Sequence, residues 1–244
     1  MRAIWLLVLA PIALAACNRT APANNAVAAN ATAATNAATA APVAAPNPKL
    51  AQIFTPDVIG SNVAYLETIT GPAFRTDGAT LTYKVGACTV IVGQTNGKID
   101  NIGIDGYGPA CSFPIAQYFA GGYDHPVPQL PTFGDISKGF GGTFAADCLK
   151  LCGNAADPVV SLNYQGSHAD NYNNLYAAIP VTEDATLNAW NAWAAQLGAK
   201  YSDDVLEQGT TTMTVDTAQD FAAQAFAGLR PTVIRVGTNL PGQN

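Results

Sequence analysis

The most restrictive feature of this chain is the dipeptide Asn96-Gly97, set between Cys88 to Val92, which is apolar and β-branched, and Lys98 to Ile104. Asn-Gly accepts the positive φ angles of a two-residue hairpin turn, so the runs on either side are expected to pair antiparallel. Immediately upstream, Thr80-Leu81-Thr82-Tyr83-Lys84-Val85 alternates polar and apolar residues, the period of a strand with one face on a core. Before that, Ser61 to Ile69 carries apolar residues at 63, 66 and 69 after a serine that can cap, and Gly71-Pro72 ends it. This predicts a short helix followed by about three antiparallel strands.

A related pattern follows. Residues 105 to 142 are rich in Gly and Pro and read as a long connection, with a helical turn near Ile115 to Phe119. Phe144 to Leu151 reads as a helix ended by Gly153, Val159 to Gly166 as a strand, and Leu175 to Val181 as its hairpin partner. Leu81-Thr82-Tyr83-Lys84 and Leu162-Asn163-Tyr164-Gln165 match at an offset of 81, and Gly71-Pro72-Ala73 and Gly153-Asn154-Ala155 at 82. Two tandem helix-plus-meander units, or one domain with two unrelated hairpins, are both compatible with those matches. Further on, Thr182 can cap a helix whose apolar face is Leu187, Trp190, Ala194 and Leu197, stopped by Gly198. Thr210 to Val215 is β-rich, Thr217 to Asp220 has capping-box spacing before a helix through Phe221, Ala225 and Leu229, and Thr232 to Val236 makes a last strand. The expected fold class is α+β: short helices packed on antiparallel β-meanders.

The first seventeen residues decide where such a domain works. Arg2 precedes an apolar run, Ile4 to Leu14, about half the roughly 20 residues that a membrane-spanning helix needs, and Leu14-Ala15-Ala16-Cys17 closes it with small residues before a cysteine. The segment resembles the signal and lipobox of bacterial lipoproteins. That resemblance implies cleavage after residue 16, a lipid on Cys17 and, with Asn18 in place of a retention aspartate, the outer membrane. Residues 18 to 48 contain 14 Ala, 6 Asn, 4 Thr and 4 Pro and no aromatic residue, a composition that cannot offset the entropy of ordering, so they are expected to form a tether. The net charge of −6 and a charged fraction of only 11% argue against nucleic acid and against charge-driven lipid binding, leaving Cys17 as the membrane attachment. In an oxidising compartment the remaining four cysteines form an even set, expected to pair locally as Cys88 with Cys111 and Cys148 with Cys152. The expected divisions are 1–16, 17–48, a first α+β unit at 49–131 and a second at 132–244.

Residues able to do chemistry are sparse. His125 and His168 stand 43 positions apart without metal-ligand spacing, and Ser167-His168 beside Asp170 are neighbours on a turn, where triads draw on distant segments. The glycines of Gly134 to Gly142 match neither a P-loop nor a dinucleotide fingerprint. Asp100, Asp105 and Asp124 could act as acid/base carboxylates of an envelope hydrolase. No metal and no cofactor is called for. Trp190 fits the apolar helix face, whereas Trp193 lies off it and is expected to be part-exposed; Tyr83 and Tyr164, with Tyr172 and Tyr176, fall on strands and their turn and offer a binding face. The helix ending in Gly-Pro, the strands Leu81 to Val85 and Val90 to Val92, the Asn-Gly turn and Lys98 to Ile102 resemble the helix-then-meander unit of the β-lactamase-inhibitor-protein and BamE-like families. That resemblance implies a protein-binding module without catalysis. The leading expectation is therefore a non-enzymatic envelope lipoprotein that binds a protein or envelope component through Tyr83, Tyr164 and Trp193.

Overall fold

The computed structural model describes residues 47–119, 125–152, 157–167, 172–207 and 216–241. The described residues belong to one compact unit. Its frame is an eight-stranded, wholly antiparallel sheet with helices packed on it, an α+β fold. The chain begins with helix α1 (Pro48–Ile53), whose first turn is capped by the Asn47 side chain accepting from the Lys49 amide. Helix α2 (Val63–Thr70) follows and ends at Gly71, where φ is +83°. Ser61 does not cap it: the hydroxyl donates to the Val58 carbonyl at 2.7 Å, and Asn62 holds the cap position.

Strands β1 (Arg75–Asp77), β2 (Thr80–Val85), β3 (Cys88–Thr95) and β4 (Lys98–Asp105) form a meander, with Asn96 and Gly97 both at positive φ as their turn requires. The Gly/Pro-rich stretch then holds a 3₁₀ turn, Ile115–Tyr118, close to the expected place. It also holds a helix that the sequence reading misses, α3 (Phe133–Phe140), opened by a capping box in which Thr132 and Asp135 satisfy each other's amides. Gly134 and Gly139 lower its intrinsic propensity, but a Cβ on Gly134 would lie 2.7 Å from the Ala227 carbonyl oxygen, so close helix packing requires glycine there.

The helix expected over Phe144 to Leu151 is instead strand β5 (Thr143–Ala146) followed by the Cys148–Cys152 loop. Phe144 and Ala146 point into the core together with β6 (Val159–Tyr164) and β7 (Asn174–Pro180), a period of two that outweighs the helix propensity of alanine. Gly153 lies outside the described residues, as does the β-rich run 210–215. Helices α4 (Asp184–Gly198), α5 (Asp203–Glu207) and α6 (Asp216–Phe226) come next, and strand β8 (Val233–Gly237) closes the fold. The cap of α4 is Glu183, not Thr182, and its buried face is Thr186, Ala189, Trp193 and Leu197, rotated from the expected stripe so that Leu187 is exposed.

The strand order is β1-β2-β3-β4-β8-β7-β6-β5. It reads alike from either edge: a helix, an edge strand, then strands stepping inward until β4 and β8 meet at the centre. Leu81-Thr82-Tyr83 on β2 and Leu162-Asn163-Tyr164 on β6 occupy the same place, second from each edge. The other sequence match fails, because the helix before β5 ends at Gly141. The units also differ in what precedes the central strand, a two-residue turn before β4 and three helices before β8.

One face of the sheet and the helices form a single apolar core. Its β5 end is aromatic: Phe144 stacks on Phe226 with centroids 5.9 Å apart, and Trp193 meets Phe226 edge-on at 6.1 Å, contacts worth about 1 kcal/mol each beyond area burial. Gln219 of α6 protects the edge, its amide oxygen accepting from the Phe144 N–H (2.6 Å) and its amide nitrogen donating to the Phe144 carbonyl (3.1 Å), a side chain in place of a ninth strand.

Candidate functional site

Directly opposed residues in an antiparallel sheet point to one side, so the pairing register identifies what the second face carries. One row crosses all eight strands: Arg75, Thr82, Ile91, Gly103, Arg235, Tyr176, Asn163 and Thr143. A neighbouring row runs Thr80, Gly93, Asn101, Gly237 and Asn174. Helix side chains pack with the opposite face, whose rows include Tyr83, Val90, Ile104, Ile234, Ala177, Leu162 and Phe144. Thr82, Ile91, Tyr176 and Asn163 on the second face are half-buried, and Ala145 and Ala178 there stand outside the main core. The result is a broad surface of small, hydroxyl, amide and aliphatic groups, with exposed charges at Arg75 and Asp77 on β1, Lys84 on β2 and Asp105 at the end of β4.

At its centre sits a charge in an unusual setting. Arg235 is only 9% exposed and Asn101 1%. Arg235 Nε donates to Asn101 Oδ1 at 3.1 Å, and Nη2 donates to the same oxygen. The Asn101 amide nitrogen donates in turn to the Thr238 and Asn239 carbonyls at 3.0 and 3.2 Å, which fixes its oxygen toward the guanidinium. Among the described residues the ion pairs are Arg75–Asp77 and Lys150–Asp203, so Arg235 has a neutral amide and no carboxylate as partner. Loss of water holds its pKa below the ordinary arginine value and raises that of Tyr176 beside it.

Glycines make this arrangement fit. A Cβ on Gly103 would collide with Arg235 Cγ, and one on Gly93 with the Asn101 amide, so both polar side chains lie flat across strands that carry no side chain beneath them. Beside the pair opens a cleft of about 400 Å³, lined by Thr80, Gly93, Gln94, Thr95, Asp100 and Asn101 among others, with Arg235 on its wall.

The residues expected from sequence to bind lie elsewhere. Tyr83 is fully buried on the core face, its hydroxyl donating to Glu67 Oε1 at 3.4 Å; burial first, and the Glu67 charge second, push its pKa up to about 12. Tyr164 is half-buried on that same face, its ring 5.6 Å from both Phe119 and Phe140. Trp193 is 1% exposed while Trp190 is half-buried, donating from Nε1 to the Cys148 carbonyl at 3.1 Å, the reverse of the expected assignment. None of the three forms a surface platform, because alternation and helix phase turn them all toward the core. Of the other tyrosines, Tyr176 is on the helix-free face and Tyr172 is exposed at positive φ in the β6–β7 connection.

Cys88 is joined to Cys111 and Cys148 to Cys152, as expected from local pairing. Cys17, Asp124, His168 and Asp170 lie outside the described residues, and His125 is exposed. Asp100 accepts from the Thr95 hydroxyl at 2.6 Å and Asp105 is exposed at the end of β4, on the opposite sheet face from Ile104. Among the described residues no three His, Cys, Asp or Glu side chains cluster as a metal site would require. Arg235 and Asn101 are absent from the sequence reading. Their signal is a polar residue inside an apolar strand, Val-Ile-Arg-Val and Asp-Asn-Ile-Gly-Ile, where a buried polar group requires a partner. The chain matches no protein-family model, no curated protein and no solved structure.

Proposed function

We propose that this chain is an exported, lipid-anchored protein of the bacterial envelope, attached at the outer membrane through Cys17, whose globular part docks a partner protein on the helix-free face of its sheet without turnover. The observation that carries the docking reading is that face itself: eight strands wide, half-buried side chains beside small ones, exposed charges on β1, β2 and the end of β4, and no helix packed on it among the described residues. Away from those charges, the row Thr82, Ile91, Gly103, Tyr176 and Asn163 offers area with little desolvation of charge, the composition found at the centre of protein interfaces. The leader, the small residues before Cys17 and the Ala/Asn/Thr/Pro segment support anchoring and a tether that lets the face turn toward its partner.

Photo-cross-linking in intact cells tests it. A benzoylphenylalanine at Thr82, Ile91 or Asn163 is expected to give one discrete adduct, and the same probe at the exposed helix position Asn191 none; adducts from Asn191 alone would refute docking on the sheet face. In parallel, a Cys17→Ser chain is expected to leave the membrane fraction in a salt wash.

A further inference from the structure

We infer that the cleft beside Arg235 is a carboxylate-binding socket, which receives an acidic side chain or chain terminus of the docking partner; this rests on the docking reading above. The first observation is the cation. Arg235 is buried, spends two of its N–H groups on one neutral oxygen and has no anionic partner among the described residues, an arrangement that the fold supports at a cost unless an anion completes it. The second is the cradle: Gly93 and Gly103 are free of side chains where any other residue would push Asn101 or Arg235 off the sheet, so the guanidinium is held in position beforehand and not drawn in by the ligand. The third is the opening, a cleft of about 400 Å³ with Arg235 on its wall, roomy enough for a carboxylate and the few carbons that carry it.

Charge selects the ligand class. Among the described residues Arg235 is the single basic one lining the cleft, and the rest of its wall is hydroxyl, amide, glycine and apolar, apart from Asp100, whose carboxylate accepts from the Thr95 hydroxyl. One cation near one carboxylate suits a planar monoanion taken by the guanidinium fork; a phosphate dianion would bring a second charge with no second cation to meet it. Asn101 supplies orientation: its amide is locked by the Thr238 and Asn239 carbonyls, so it cannot turn its N–H toward the anion and leaves that role to the free N–H groups of Arg235.

The test is a side-chain ¹H–¹⁵N titration of the full mature chain, following Arg235 Nε and the Asn101 amide. The probes are N-acetylglutamate amide (side-chain carboxylate only), N-acetylalanine (terminal carboxylate only), N-acetylglutamine amide and inorganic phosphate, at matched ionic strength. Saturable shifts with a carboxylate probe, absent with the glutamine probe and at least about ten-fold weaker in phosphate, are expected. The tighter of the two carboxylates names the source. Arg235→Gln should abolish the response; should that variant not fold, Gln94→Glu, which sets a second anion on the cleft wall, should weaken it by about ten-fold. No shift with either carboxylate, tighter phosphate binding, or an undiminished response in the variants overturns the socket. Because the titration needs no partner, its failure is separable from failure of docking, which the cross-linking pattern reports.

Discussion

Removing the acceptor under Arg235 gives a prediction whose size follows from the geometry. In Asn101→Ala, a buried guanidinium loses the oxygen that takes two of its N–H groups, and the Thr238 and Asn239 carbonyls lose a donor. Hydrogen bonds to a charged group contribute about 1.5–3 kcal/mol, and a stranded buried charge adds desolvation, so a loss of about 3–4 kcal/mol is expected. For a folded part of this size that corresponds to about 10 °C in Tm. Arg235→Met removes the charge along with its need for a partner and should lie within about 1 kcal/mol of the parent. In the Met background Asn101→Ala should cost only about 1–2 kcal/mol, the share of the two carbonyl contacts, leaving a coupling of about 2 kcal/mol. Urea unfolding under non-reducing conditions, followed by the fluorescence of Trp190 and Trp193, measures all four corners. A coupling below about 0.5 kcal/mol would refute the claim that Asn101 stabilises the fold by serving the buried cation.

Other expectations follow from the same structure. Thr132→Ala removes the side-chain half of the α3 capping box and should cost about 1 kcal/mol in the same assay. Asp135, its carboxyl held below the usual aspartate value first by the Thr132 backbone amide, contributes stability that is present above about pH 4 and lost as pH falls through its lowered pKa; the urea midpoint of Asp135→Asn should therefore lie below that of the parent at neutral pH and converge with it in acid. Burial raises the phenols of Tyr83, Tyr107 and Tyr118, so their contribution is intact below pH 10 and should fade as pH rises toward 12, seen as a falling urea midpoint while the folded state shows little phenolate absorbance. Replacing Cys88 and Cys111 together by Ala opens a loop of 23 residues and should cost about 3 kcal/mol, read from the urea midpoint.

The first half of the fold was readable because its signals are local. Asn96-Gly97, the alternation of Thr80 to Val85 and the Gly71 stop each act within a few residues, and the α+β class follows from them. The misreadings fall where distant packing overrides local preference. Phe144 to Leu151 has helix-forming composition, but Phe144 and Ala146 are drawn to a shared core by β6, and α3 forms through glycines because Gly134 lets α6 approach. The central place of β8 carries no local mark at all: Thr232 to Val236 reads as a strand, and nothing in it says that β4 and β7 will flank it. The binding residues failed for a related reason. Tyr83 and Tyr164 alternate correctly, but alternation identifies two faces without saying which one the helices cover, and the helices chose theirs. Arg235 was visible only as a charge out of place in an apolar strand.

The central claim, docking on the helix-free face, is tested most directly by measuring the affinity of the cross-linked partner for two arginine variants of the mature chain. Ile91→Arg sets a long charged side chain into the middle of the face, and Asn191→Arg sets the same group on the exposed side of α4. With both Tm values near that of the parent, a Kd raised by more than about ten-fold in Ile91→Arg and unchanged in Asn191→Arg is the predicted result. Unchanged binding in Ile91→Arg, with loss in Asn191→Arg, would contradict the account and move the interface to the helices.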